Sequence, residues 1–142
     1  MSYRHRAREI ALQILYRHEY EQKPDLAEHF EHFQVPEQLR EYIGTLVSGA
    51  LKEKDAIDKT IEAHASNWKI SRMALVDRSL LRLAVYELLY CPDMPTAIVI
   101  DEAIELAKSF AAEETPAFIN GILDAISKDA ISKSLPEKPA KN

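Results

Sequence analysis

VDRSLLRLAVYELLY, residues 76–90, is apolar around nearly the whole circumference of a helix. Leu80, Leu81, Leu83, Ala84, Val85, Leu88 and Leu89 leave no clean polar face. A helix with apolar residues on every side belongs in an interior, so the reading starts from a central buried helix running from Asp77 to about Tyr90. Asp77 has the residue type of an N-cap, and Val76 and Leu81 have the spacing of a hydrophobic staple.

Other helices extend outward on both sides. On the C-terminal side, Cys91-Pro92-Asp93-Met94-Pro95 is a rigid loop. Thr96 caps a helix ending near Phe110, in which Asp101, Glu102 and Glu105 precede Lys108 as the helix dipole favours. Thr115 with Pro116 opens the last helix, with Phe118, Ile119, Ile122, Leu123 and Ile126 as its stripe. On the N-terminal side, Trp68, Ile70, Met73 and Leu75 lie in a short, poorly periodic connection. Before it, Leu39, Ile43, Leu46, Ala50, Ile57 and Ile61 predict one long helix from Pro36 to about Ala65, bent or closely packed at Gly44 and Gly49. Leu26, Phe30 and Phe33 mark a short helix capped by Asp25, with Glu28 in the capping-box position. Ala7, Ile10, Ala11, Ile14, Leu15 and His18 share one face of a first helix from about Arg4 to Glu21. Strand signals are nearly absent. The expectation is an all-α compact bundle of about six to seven helices, one domain over residues 1–131, followed by a disordered polar tail over 132–142.

Composition excludes several classes. The chain has 142 residues and one cysteine, Cys91, so an intrachain disulfide and a zinc site built on several cysteines are ruled out. No apolar run approaches the roughly 20 residues that span a membrane, and the N-terminus is not a secretory signal, so the expected compartment is the cytoplasm. Charge is unevenly placed. Arg4, Arg6 and Arg8 give the first eight residues +3 against −5 for the whole chain, leaving −8 on the rest. Such an arm is either an electrostatic footprint for a polyanion or a solvated terminus.

Catalytic signals are weak. The three glycines stand apart, so no phosphate loop exists, and no nucleophile elbow is present. His29 and His32 are three apart without a third ligand and read as surface histidines. Asp101, Glu102 and Glu105 read as a solvated face. The expectation is no enzyme, no cofactor and no metal. Binding signals are better. The forked guanidinium groups of the arm suit phosphate. Lys69, Arg72, Arg78 and Arg82 form a second basic cluster. Arg82 sits inside the apolar central helix, where it either serves RNA or forms an internal ion pair with Glu87 or with an acid from another helix.

Three segments, RHRAREIALQILY at the N-terminus, VDRSLLRLAVYELLY in the centre and IDEAIELAKSFAAEETPAFINGILD from Ile100 to Asp124, resemble the NusB family of transcription antitermination proteins. The resemblance runs along nearly the whole chain and is most specific in the third block. It implies an all-α fold in two helical subdomains. It also implies binding to the boxA element of ribosomal RNA leader transcripts, together with NusE, the free form of a small-subunit ribosomal protein, in the transcription elongation complex. Carried over by position, Arg4, Arg6, Arg8, Arg82, Glu114 and Phe118 resemble the RNA-contacting set, and Tyr16 and Asp77 look toward NusE. Phe118 either stacks on an unpaired base or packs in the core with Ile119 and Ile122. His5 interrupts the arm, and Pro116 and Ala117 stand where some relatives are more polar or basic.

Two other readings keep the helical fold. One is the helical domain of a ribosomal RNA cytosine methyltransferase, which the polar tail directly after the last helix argues against. The other is a homodimeric interaction module without an RNA role.

Overall fold

The computed structural model describes residues 3–21, 26–32, 34–66 and 68–133. Among them are seven α-helices and no strand: α1 (Tyr3–Glu21), α2 (Leu26–His32), α3 (Glu37–Lys52), α4 (Lys54–His64), α5 (Leu75–Tyr90), α6 (Thr96–Phe110) and α7 (Thr115–Lys133). A single 3-10 turn, Ile70–Arg72, lies between α4 and α5. The all-α expectation holds. Asp25 and Phe33 lie outside the described residues, as does the tail from 134 onward; Ser132 and Lys133, expected in the tail, are still helical.

α5 is the axis of the fold. Leu80, Leu81, Leu83, Ala84, Val85 and Leu88 are all buried, and the helix packs against α1, α3, α4, α6 and α7. α1 lies on α3 to one side, and α6 lies on α7 to the other. One hydrophobic core joins the two sides, drawing Ile10 and Ile14 from α1, Leu46 from α3, Leu106 from α6 and Ile119 from α7. α1 runs antiparallel to α5, because Arg8 pairs with Glu87 near the end of α5 while Glu19 pairs with Arg78 near its start.

Three helix boundaries differ from the sequence reading. The predicted long helix is two, broken at Glu53, whose N–H bonds back to the carbonyls of Gly49 and Leu51. α5 begins at Leu75, after an extended Ala74, so Asp77 lies within the first turn and caps nothing; Val76 lies inside the helix and cannot form the predicted staple. Pro95, not Thr96, precedes α6.

Gly49 and Gly44 occupy α3 for different reasons. A Cβ on Gly49 would lie 2.2 Å from the Tyr86 ring, whereas one on Gly44 would meet nothing within 4 Å. Tyr86 is stacked on Tyr90 at 5.3 Å, so it has little freedom to withdraw. Gly49→Ala therefore costs about 1–3 kcal/mol through overpacking. Gly44→Ala, freed from the helix penalty of glycine, gains about 0.5–1 kcal/mol. Urea midpoints of the two variants should move in opposite directions; equal shifts would contradict the close α3–α5 approach.

Candidate nucleic-acid interface

The site residues predicted from sequence, Arg82 in the middle of α5 apart, fall at two ends of that helix. At the end near Tyr90 lies the basic start of α1. Arg4 and Arg6 are exposed. Arg4 donates to the Met94 sulfur at 3.1 Å, and its guanidinium stands 5.4 Å from the centre of the Tyr42 ring. Arg6 reaches Glu9 at 3.2 Å with half of its side chain in solvent. His5 lies between two carboxylates, 2.7 Å from Glu102 and 3.4 Å from Glu9.

Arg8 is different. It is 3% exposed and grips Glu87 with two N–H groups, at 2.7 and 3.1 Å. The Tyr42 hydroxyl donates to the same carboxylate at 2.7 Å. Burial alone would lower the Arg8 pKa, but Glu87 more than offsets it and the net direction is up. Burial, followed by the charge of Glu87, raises the Tyr42 phenol. The group is a closed internal network tying α1 to α3 and α5, and Arg8 has no side-chain surface to offer a ligand.

Arg82 is likewise internal. Its two carboxylate partners are Asp58 on α4, at 2.8 and 3.1 Å, and Glu19 on α1. Of the two sequence readings, the geometry is that of the ion pair with acids from other helices. Glu87, five residues along α5, points elsewhere and serves Arg8.

At the other end of α5, Asp77 accepts a hydrogen bond from the buried Thr115 hydroxyl at 3.0 Å, which pins the start of α7 to the first turn of α5. Burial raises the Asp77 pKa; the Thr115 bond opposes this and nearby Glu114 adds to it. Glu114 is exposed in the turn before α7. Phe118 is half-buried, packed against the core at its edge, and meets Trp68 edge to face at 5.9 Å.

At this same end lies an open groove of about 480 Å³, lined by Leu12, Tyr16, Tyr20, Leu75, Val76 and Phe110, with Gln13 and Arg17 as its polar members. Tyr16 and Tyr20 meet edge to face at 5.8 Å. Tyr16, expected to look toward a partner, thus lies in an apolar groove on the same side as Asp77. Sequence reading did not place Tyr20, Phe110 or Trp68 in the site. The first two follow from the i, i+4 spacing of Tyr16 and Tyr20 and from the antiparallel α1–α5 pairing. The signal for Trp68 was a lone tryptophan in the polar setting SNWK.

The ends are about 15 Å apart, taking 1.5 Å for each of the ten residues from Asp77 to Glu87. A strand touching both must run the length of α5. Asp77 and Glu114 flank Thr115 directly, so residues expected to serve the partner and residues expected to serve RNA adjoin at this end. Among the described residues no group of three or more His, Cys, Asp or Glu is arranged to hold a metal, and no helix is long and apolar enough to cross a membrane. His29 is buried while His32 is exposed, so the expected pair of surface histidines does not exist. Glu102 is half-buried and holds His5 and Arg8 rather than facing solvent.

The model of the NusB family matches residues 5–128. The chain belongs to the NusB family. It is 43% identical to a transcription antitermination protein NusB of Desulfotalea psychrophila, over 89% of this chain and 96% of that protein. Among solved structures it is similar to NusB of T. maritima, with a TM-score of 0.81 and 36% identity over 89% of this chain and 91% of that one. It is also similar to a chain of a crystal structure of antitermination factors NusB and NusE in complex with dsRNA, with a TM-score of 0.82 and 33% identity over 91% of this chain and 98% of that one. TM-scores of this size are those of a shared fold. The family match covers Arg6 and Arg8 of α1 as well as Asp77, Thr115 and Phe118.

Proposed function

We propose that this chain is a transcription antitermination factor that binds boxA RNA of ribosomal RNA leader transcripts jointly with NusE, within the transcription elongation complex in the cytoplasm. The observation that carries the proposal is its likeness, over nearly the whole chain, to the NusB of an assembly that also holds NusE and RNA. The role is one of binding, without catalysis or cofactor. Arg4 and Arg6 contact phosphates, because they are the exposed guanidinium groups of an acid-poor terminus. Phe118 offers a ring edge to a base, and Glu114 limits affinity by repelling the backbone. Tyr16 and Asp77 face NusE, Tyr16 through the apolar groove. Arg8 and Arg82 act at one remove: they fix α1 and α4 on α5 and so position the exposed residues.

The test is the arm. Replacing Arg4 and Arg6 together with Ala weakens binding to RNA of any sequence and lowers the slope of log affinity against log salt by up to about two units. Adding Arg8→Ala unfolds or destabilises the protein instead of lowering the slope further. An unchanged salt slope in the double variant would remove the arm from the interface.

A further inference from the structure

Trp68 is the single tryptophan of the chain, and 52% of it is exposed. Its backbone is nevertheless pinned. The Trp68 N–H donates to the Ala65 carbonyl at 3.1 Å. Two residues on, the Ile70 N–H donates to the Glu62 carboxylate at 2.8 Å, and the Ile70 carbonyl accepts from Arg78 at 3.1 Å. The ring itself is braced edge to face on Phe118, with an interplanar angle of 73°. A large aromatic ring is therefore held in a fixed place and left half open to solvent, where it forgoes much of the apolar burial available to it. Lys69 and Arg72 follow it, both exposed, and neither is held in an ion pair among the described residues. Glu113 and Glu114, about one turn before Phe118, are exposed acids that repel a phosphate chain, whereas Lys69 and Arg72 attract it.

We propose that Trp68, braced by Phe118, is a stacking platform for an unpaired RNA base, with Lys69 and Arg72 holding the flanking phosphates; this rests on the RNA-binding reading above. An aromatic face stacks on any base, so the platform adds affinity more than sequence choice. Two unpaired cations beside the ring favour a polyanion over an apolar protein surface. The path of the strand then extends past Phe118 and over the connection between α4 and α5.

The emission of Trp68 gives a direct readout. The full-length protein is titrated with a single-stranded RNA oligonucleotide, following both tryptophan fluorescence and the affinity for labelled RNA. Stacking quenches the emission in step with binding. Trp68→Leu weakens binding about 5- to 100-fold while circular dichroism shows the fold intact. Trp68→Phe restores most of the affinity, and Lys69→Ala with Arg72→Ala lowers the salt slope. Full affinity in Trp68→Leu, unchanged emission on binding, or equal quenching by a fully paired duplex overturns the platform and leaves RNA binding through the arm standing. Emission that responds to NusE and not to RNA assigns the ring to a protein contact and also overturns it. A wild-type protein that binds no RNA overturns the platform and the functional reading together.

Discussion

Glu87→Ala lowers the stability of the protein by about 3–5 kcal/mol. Arg8 and Glu87 are 3% and 1% exposed, and they face each other through two hydrogen bonds. Removing the carboxylate leaves a buried guanidinium without its main counter-charge, and it takes the acceptor from the Tyr42 hydroxyl as well. Glu102 lies 3.5 Å from Arg8 and compensates in part, which sets the lower end of the range. Glu87→Gln preserves shape and an acceptor oxygen but not the charge, so it falls between Ala and wild type. Replacing both partners, Arg8→Met with Glu87→Leu, recovers much of the loss, because no uncompensated charge is then buried. Urea unfolding with an unchanged m-value measures all three. A loss below about 1 kcal/mol for Glu87→Ala would show that Arg8 finds water instead and is available to a ligand.

Leu81→Ala costs about 2–5 kcal/mol, the range for a leucine truncated in a core that cannot collapse around the gap. Leu81 has no exposed surface, and α5 is enclosed by five other helices, so no neighbour is free to move in. The effect is comparable to that of Glu87→Ala but differs in kind: it is a cavity cost, insensitive to charge at a neighbouring site. The same urea series reads it. A cost below 1 kcal/mol would mean that α5 is not the axis of the fold.

The helices themselves were legible in the sequence because apolar spacing of three and four is a local signal. α5 in particular declared its burial through its lack of a polar face. The break at Glu53 was not legible. The stripe from Leu46 through Ala50 to Ile57 and Ile61 continues across it, and glycine drew attention to Gly49, whose role is to admit the Tyr86 ring. Asp77 was misread as a cap because capping preference is local, whereas its partner, Thr115, lies 38 residues away.

The candidate site shows the same division. Arg4 and Arg8 stand four residues apart and look like one basic face. Past its first turn, α1 is covered by α5, so the second of them meets Glu87, 79 residues distant in sequence. A signal was present: Arg8 lies among Ala7, Ile10 and Ala11, and Glu87 is the one acid past the first turn of an apolar helix. Two isolated opposite charges on buried faces are candidates for each other. For Arg82, an acid on another helix was among the alternatives, and Asp58 and Glu19 fill that place. What no local pattern conveys is that the arm and Phe118 stand at opposite ends of α5.

Joint binding of RNA and NusE is tested most directly by titrating boxA RNA into the protein with and without NusE, at two salt concentrations. The expected result is RNA binding that weakens with salt and tightens about 5- to 150-fold when NusE is present, with RNA tightening NusE binding by the same factor. RNA binding that is absent at low salt, or that is indifferent to NusE, would contradict it.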